Sequence, residues 1–404
     1  MTTGPGTGMD AGNAPQTAVE RSSLRAFLLY FLRLGTLGFG GPIALAGHIQ
    51  QDLVEQRGWI SAQEYKEGLA LAQLAPGPLA AQLAMYLGWV RARRLGATLV
   101  ALAFVGPSFL MVLILSELYV RFGGLPWMQG LFYGIGAAVI AIIARSVLKL
   151  VRMTLGRDQL LWGLFTASAL VTAWTESEII WVFLLCGLIP MVLRGRQTAP
   201  ATPALALLPA APGLATGLLG GPASVGVLWK ILAYFAGAGL FVFGSGLAIV
   251  PFLYSGVVQQ FHWLTERQFI DAVAVSMITP GPVVITVAFI GYLVAGLPGA
   301  VLAAIGVFLP VYVIVVLVAP HFHRVAKNRQ VKAFVDGVTA AATGAIAGAA
   351  VILGRRSLLD LPTILIALVT LALLLAPRKI PEPVLIVGAG VIGLVLRGAV
   401  PATG

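Results

Sequence analysis

One register repeats along this chain. Phe39-Gly40 recurs as Phe243-Gly244, Trp59-Ile60-Ser61 as Trp263-Leu264-Thr265, and Pro76-Gly77-Pro78 as Pro280-Gly281-Pro282, each pair 204 residues apart. Further on the spacing is 203, which pairs Gly88 with Gly291, Gly96-Ala97 with Gly299-Ala300, Pro107 with Pro310 and Gly134 with Gly337. Chance does not hold a register over so long a stretch, so the fold is expected to contain two homologous halves. They are expected at 23–193 and 226–400, joined by a Pro/Ala/Gly-rich linker over 194–225 and preceded by a disordered tail over 1–22.

Both halves are dominated by apolar runs. Of the 404 residues 59% are hydrophobic and 10% charged, with a mean hydropathy of +0.94, whereas a soluble domain carries roughly 25% charged residues. Runs of about 20 apolar residues suffice to cross roughly 30 Å of hydrocarbon. The chain is therefore expected to be an all-α polytopic membrane protein in the lipid bilayer, without the water-facing surface of a globular enzyme. The net charge of +11 comes mostly from Arg and Lys in short loops, where they orient helices, and does not indicate nucleic acid. The lone Cys186, in an apolar run, excludes an intrachain disulfide and argues against a thiolate metal site.

The same parts follow in order within each half. A first apolar helix (24–39; 228–243) ends in a glycine-rich break, Gly38-Phe39-Gly40-Gly41-Pro42 or Gly244-Ser245-Gly246. An amphipathic stretch leads to an interfacial Trp59 or Trp263. The capping boxes Ser61-Ala-Gln-Glu64 and Thr265-Glu-Arg-Gln268 then open short helices that Pro-Gly-Pro stops. A second short helix runs to Trp89 or Tyr292. Four longer helices complete each half, at 96–119, 128–150, 159–174 and 178–193, and at 298–319, 331–353, 361–376 and 382–397.

Basic residues cluster at Arg91/Arg93/Arg94, Arg145/Lys149/Arg152/Arg157 and Arg194/Arg196 in half one, but at Arg324/Lys327/Arg329/Lys332 and Arg378/Lys379 in half two. These are different loops of the repeat, and if basic loops face the cytoplasm the halves are inverted. Arg355 and Arg356 break the pattern. Inversion requires an odd number of crossings per half. Five spans plus a re-entrant Pro-Gly-Pro hairpin supply it, since a 14-residue arm rises only about 21 Å. One broken crossing per half, with an extra span from the linker or a terminal segment, is the alternative.

A helix start exposes unpaired N–H groups and the positive end of its dipole. Pro suits such a start and glycine allows close approach. The tips Pro76-Gly77-Pro78 and Thr279-Pro280-Gly281-Pro282 are therefore candidate anion-binding elements, with the breaks at Gly40, Gly41, Gly244 and Ser245 and the nearby donors Gln73, Gln82 and Thr286. Arg33, nine residues into the first apolar helix, could neutralise an oxyanion, snorkel, or pair with Glu64 or Glu67. Glu67 and Asp271 occupy equivalent positions and are candidates for carrying protons, or else solvated residues of a first helical turn. His48 and His262 are weaker titrating candidates, and His321-Phe-His323 reads as solvated loop rather than metal site; no cofactor is expected. The glycines of Gly388-Ala-Gly390-Val-Ile-Gly393 mimic a dinucleotide fingerprint, but they fall where the last apolar helix of the repeat is expected, without a βαβ unit. Small-residue faces such as Gly344-x-x-x-Gly348 allow a homodimer without demanding one.

Leu34-Gly-Thr-Leu-Gly-Phe-Gly-Gly-Pro42, Gln73-Leu-Ala-Pro-Gly-Pro78 and Thr279-Pro-Gly-Pro282, set in a duplicated chain of this length, resemble the long-chain, two-domain chromate ion transporter family. The resemblance implies export of chromate across the bacterial inner membrane, with proton coupling as an option, and hence chromate resistance. It also implies that sulfate competes as an oxyanion of matching charge and shape. Gly-Ser-Gly in place of Gly-Gly-Pro, and Gly237 in place of Arg33, argue against a strictly symmetric site. A sulfate carrier, a passive anion channel and a membrane-bound chromate-reducing enzyme are the rival readings.

Overall fold

The computed structural model describes residues 23–39, 41–122, 125–175, 180–195, 223–240, 242, 246, 249–322, 328–376 and 380–398. The expected tail, most of the linker, His323 and the candidate residues Gly40, Gly244 and Ser245 lie outside them. The described residues form helices and short connections, with no strand among them.

Ser23 caps α1 (Leu24–Leu37), its hydroxyl accepting from the Ala26 N–H, and the helix buries Phe27, Phe31 and Leu34. After the break at Gly38, α2 (Gly41–Ile49) continues through a π-helical turn over Gln50–Gln56. The capping box forms as expected at the start of α3 (Ala62–Leu74), with Ser61 and Glu64 each accepting the other's N–H. Then come α4 (Leu79–Phe122), α5 (Pro126–Thr154), α6 (Gln159–Thr175) and α7 (Ile180–Gly195). Half two comprises α8 (Ala223–Leu240), α9 (Ile249–Tyr254), α10 (Glu266–Ile278), α11 (Thr286–Val318), α12 (Arg329–Ser357), α13 (Leu361–Leu375) and α14 (Glu382–Gly398). The last of these is a continuous helix whose Gly390 and Gly393 pack against α5, so the fingerprint-like glycines serve packing.

Equivalent residues make equivalent bonds. The Tyr30 hydroxyl donates to the His48 carbonyl, and Tyr234 donates to Phe252. Inside α4 the chain turns sharply at Ala92-Arg93 (φ −148° and 51°), and inside α11 at Ala295-Gly296 (φ −146° and 61°). Arg93 holds its left-handed conformation with the guanidinium 4.5 Å from the Trp89 ring centre. These turns split α4 and α11 into a short first arm and a long second stretch. The first arm of α4 folds back along α3, so close that a Cβ on Gly68 would come within 2.5 Å of the Tyr86 ring. In half two, α10 and the start of α11 correspond to the same pair.

The halves are intertwined. Helix α5 packs against α13 and α14, and α12 packs against α6 and α7. Gly134 admits the Ala389 carbonyl and Gly337 the Cys186 carbonyl, at matching positions. Gly344 and Gly348 likewise face α6, against Phe165 and Ala169. The stripe that seemed free to join two chains is consumed within one, which corrects its reading as a dimer face.

Among the described residues, four helical stretches are long and apolar enough to cross a bilayer: Leu79–Phe122, Trp127–Thr154, Val283–His321 and Arg329–Ser357. Shorter apolar helices run over Trp181–Leu193, Val225–Leu240, Leu361–Leu375 and Glu382–Leu396. Apolar side chains also face outward, as at Leu102 (65% exposed), Leu110 and Ile114 on α4, whereas Ser108 and Ser116 on the same helix are buried. That arrangement suits a lipid surround, and the protein is a multi-pass membrane protein.

Gly344→Leu should therefore push α12 off α6 and destabilise the monomer by about 1–3 kcal/mol, the usual scale of overpacking. Thermal unfolding in detergent, followed by the elution of monodisperse protein, measures it. A dimer face would instead lose only the dimer.

Candidate anion site

Both Pro-Gly-Pro tips are held by the opposite half. The Gly77 N–H donates to the Val242 carbonyl at 2.6 Å, and the Gly281 N–H donates to the Gly38 carbonyl at 2.9 Å. Val242 and Gly38 are themselves equivalent, each lying just beyond a first helix. Both tip glycines have positive φ (140° and 102°), a region L side chains rarely enter. A Cβ on Gly77 would lie 2.6 Å from Gln82 Nε2, and one on Gly281 would overlap the Ser108 hydroxyl. These two amides were expected to face an anion. They are spent on carbonyls instead, because a peptide N–H deep in lipid finds no water to replace them.

Side chains complete the tips unequally. Gln82, fully buried, donates through Nε2 to the Pro76 carbonyl at 2.7 Å, while its Oε1 is buried without a partner. Ser108 donates to the Pro280 carbonyl at 2.7 Å. Ser108 stands midway along the stretch 94–122. That stretch rises about 43 Å, so tip two sits about halfway between the ends of a spanning helix. Thr279 and Thr286 bond their own turns, to the Val275 and Val283 carbonyls. Pro78 and Ala80 of tip one face Gly281, Pro282 and Val283 of tip two across a small internal cavity.

A larger cleft, of about 870 Å³ with its open mouth included, adjoins tip two. Its walls are Thr279, Gly281 and Val283 from that tip, Gly38 and Gly41 from the break after α1, Arg145 and Lys149 from α5, and Glu382. Helices α2 and α14 begin at this wall, at Gly41 and Glu382, as does the turn that leads from Val283 into α11. Helix starts carry partial positive charge. Two cationic side chains, Arg145 and Lys149, and one carboxylate, Glu382, add to that wall.

A family model described as Chromate transporter matches the chain twice, over residues 25–191 and 229–394. The chain belongs to the chromate transporter family. A chromate transport protein of Cupriavidus metallidurans is 59% identical over 92% of this chain and 93% of its own length. A probable chromate transport protein of Synechococcus elongatus is 52% identical over 92% and 95%, and a chromate transport protein of Pseudomonas aeruginosa 33% over 90% and 90%. No solved structure matches.

In this family member several residues singled out from sequence lie away from the cleft. Arg33 is exposed on the face of α1 that also presents Leu29, Leu32 and Leu37, and does not line the cleft. Gln73 is exposed near the end of α3. Glu67 is half-buried and accepts from Gln63 and, at 3.2 Å, from the Tyr86 hydroxyl. Asp271 is buried, only 4% exposed, and accepts from the Tyr119 hydroxyl at 2.8 Å. Phe289 and Phe322 stand where the repeat would place second copies of Tyr86 and Tyr119, so each carboxylate is served by a tyrosine unique to it. Asp271 also shares a pocket with Arg267, Gln129 and Phe132. His48 and His321 are exposed, and His262 bonds the Val258 carbonyl.

Grouping them with Arg152 and Arg157 at the basic end of an expected helix, sequence reasoning did not single out Arg145 and Lys149. They lie inside α5, one turn apart, as their spacing of four could have indicated.

Replacing Gly281 with Ala should reduce transport at least about tenfold, since the added methyl meets the Ser108 hydroxyl in a strained backbone region. Combining it with Ser108→Gly should recover part of the rate. Flux in proteoliposomes, normalised to protein in the membrane, tests both.

Proposed function

We propose that this chain is a secondary active transporter that exports chromate from the cytoplasm across the bacterial inner membrane in exchange for protons, and so confers chromate resistance. The observation that carries the reading is the cleft, where Arg145, Lys149 and three helix starts converge on the tip Thr279–Val283. A tetrahedral dianion leaving water needs such replacements for its hydration shell. The names of the relatives at 59% and 52% identity supply chromate as the substrate. Sulfate has the same charge and shape and competes for the same cleft. Gly41, Thr279 and Gly281 line the site, with Arg145 and Lys149 offsetting the charge. Pro76, Gly77, Pro78, Gln82, Pro280 and Pro282 shape the tips beside it.

The repeats at 23–193 and 226–400 cross the membrane in opposite directions in this reading. Three contacts support it. Thr98, just past the base of hairpin one, meets Tyr312 towards the end of α11. Glu117, towards the end of α4, accepts from Tyr292 at the base of hairpin two. Arg267, also at that base, donates to the Gln129 carbonyl near the start of α5. The two hairpin bases thus attach to opposite ends of the same long helices. Arg152 in the last turn of α5 and Arg157 just beyond that helix mark that side as cytoplasmic, so the cleft opens inward. The Asp271 pocket, at the far end of α10, opens outward.

Asp271 then takes a proton from outside while the cleft takes chromate from inside, α10 linking the two. The sequence carries no phosphate-loop signature, so an ion gradient supplies the drive.

Labelled chromate counterflow in proteoliposomes should saturate, be inhibited by sulfate, and run uphill under an imposed pH gradient. Non-saturating flux with no uphill component would mean a channel. Asp271→Asn should abolish the gradient-driven component and keep chromate–chromate exchange. Cysteines placed at Arg94 and at its repeat-equivalent Leu297 should label from opposite faces with an impermeant maleimide; labelling from one face would rule out inversion.

A further inference from the structure

Three charged side chains meet in the cleft. Arg145 and Lys149 come from α5, and Glu382 opens α14. Arg145 Nη1 lies 3.2 Å from Glu382 Oε1, with the two side chains 37% and 30% exposed. Glu382 is the sole carboxylate among the described residues of the cleft wall. An acid at a helix start ordinarily complements the dipole. Here it also occupies the guanidinium that an incoming oxyanion would use.

We infer that Glu382 is a charge filter, a tethered monovalent anion that any substrate must displace from Arg145. An incoming monoanion exchanges one negative charge for another at the guanidinium and gains little. A dianion makes the same exchange and keeps a second charge for Lys149 and the helix starts. Glu382 thereby sets a threshold that a single negative charge does not clear. It also speeds release, because the displaced carboxylate returns to Arg145 as the substrate leaves. The filter works by charge and leaves shape to the tip and the break. Its two members come from different halves, α5 and α14, with no charged counterparts for Arg145 and Lys149 at Gly348 and Ile352, so the filter exists once per chain.

The inference rests on the cleft being the oxyanion site, and the test separates the two. Perchlorate is the probe: a tetrahedral oxyanion, like chromate, carrying one charge. In proteoliposomes, chromate counterflow by the unaltered transporter should resist perchlorate. In Glu382→Gln, which keeps the size and a hydrogen bond but drops the charge, the perchlorate inhibition constant should fall about tenfold and the chromate KM with it, since both anions regain the free guanidinium. The maximal exchange rate should fall too. A purely structural role for Glu382 would lower folded yield and leave the perchlorate constant unchanged, which overturns the filter. Should Glu382→Gln not reach the membrane, Glu382→Asp, whose shorter arm draws the carboxylate back from Arg145, should show a smaller fall of the perchlorate constant; an unchanged constant there overturns it equally. Arg145→Gln supplies the other arm. A raised chromate KM in Arg145→Gln alongside an unchanged perchlorate constant in Glu382→Gln sinks the filter alone. An unchanged chromate KM in Arg145→Gln sinks the cleft, and the filter with it.

Discussion

A peptide amide with no water beside it must find a carbonyl, and each Pro-Gly-Pro tip finds its carbonyl in the other half of the chain. The bonds from Gly77 to Val242 and from Gly281 to Gly38 are made at equivalent places. Each tip therefore has to reach the break after the other half's first helix, which requires both hairpins to penetrate to a common depth. The glycine at each tip follows, since only positive φ aims the amide there without a side chain in the way. The break after α1 follows as well, because a continuing helix would use the Gly38 carbonyl itself. The cleft is what remains beside that junction, on the side where α5 crosses the second tip.

Much of the fold is legible in one dimension. Helix ends follow the capping boxes and prolines, and the repeat spacing carries every assignment from one half to the other. The sharp turn at Ala92-Arg93 was not legible, since neither residue favours it; Gly296 at the equivalent place is the better clue. The faces of the helices were not legible either. A helix in lipid is apolar all round, so its period gives no inside or outside, and Arg33 could be placed in depth but not in azimuth. Arg145 and Lys149 read as the basic end of a helix because the element that gives them a role, tip two, lies more than a hundred residues on.

The two halves share a plan but not a chemistry. Ser108 holds tip two, whereas Val311 stands against tip one. Tyr119 serves the buried Asp271, whereas Tyr86 serves a half-exposed Glu67. Such differences leave the backbone arrangement equivalent while the side chains around the two tips diverge. A duplicated frame in lipid tolerates this because its main-chain bonds, satisfied on their own terms, do not depend on which side chains face the cavity.

The exchange of helices between halves bears on how the chain is made. Helix α5 emerges early from the ribosome, yet the surfaces it buries belong to α13 and α14, the last to be synthesised. Gly134 has no Ala389 carbonyl to meet until the second half has been made. The first half must therefore wait in the bilayer as a set of inserted but loosely associated helices, its small-residue seams wet by lipid tails. The packing of α5 is therefore completed only by helices of the second half.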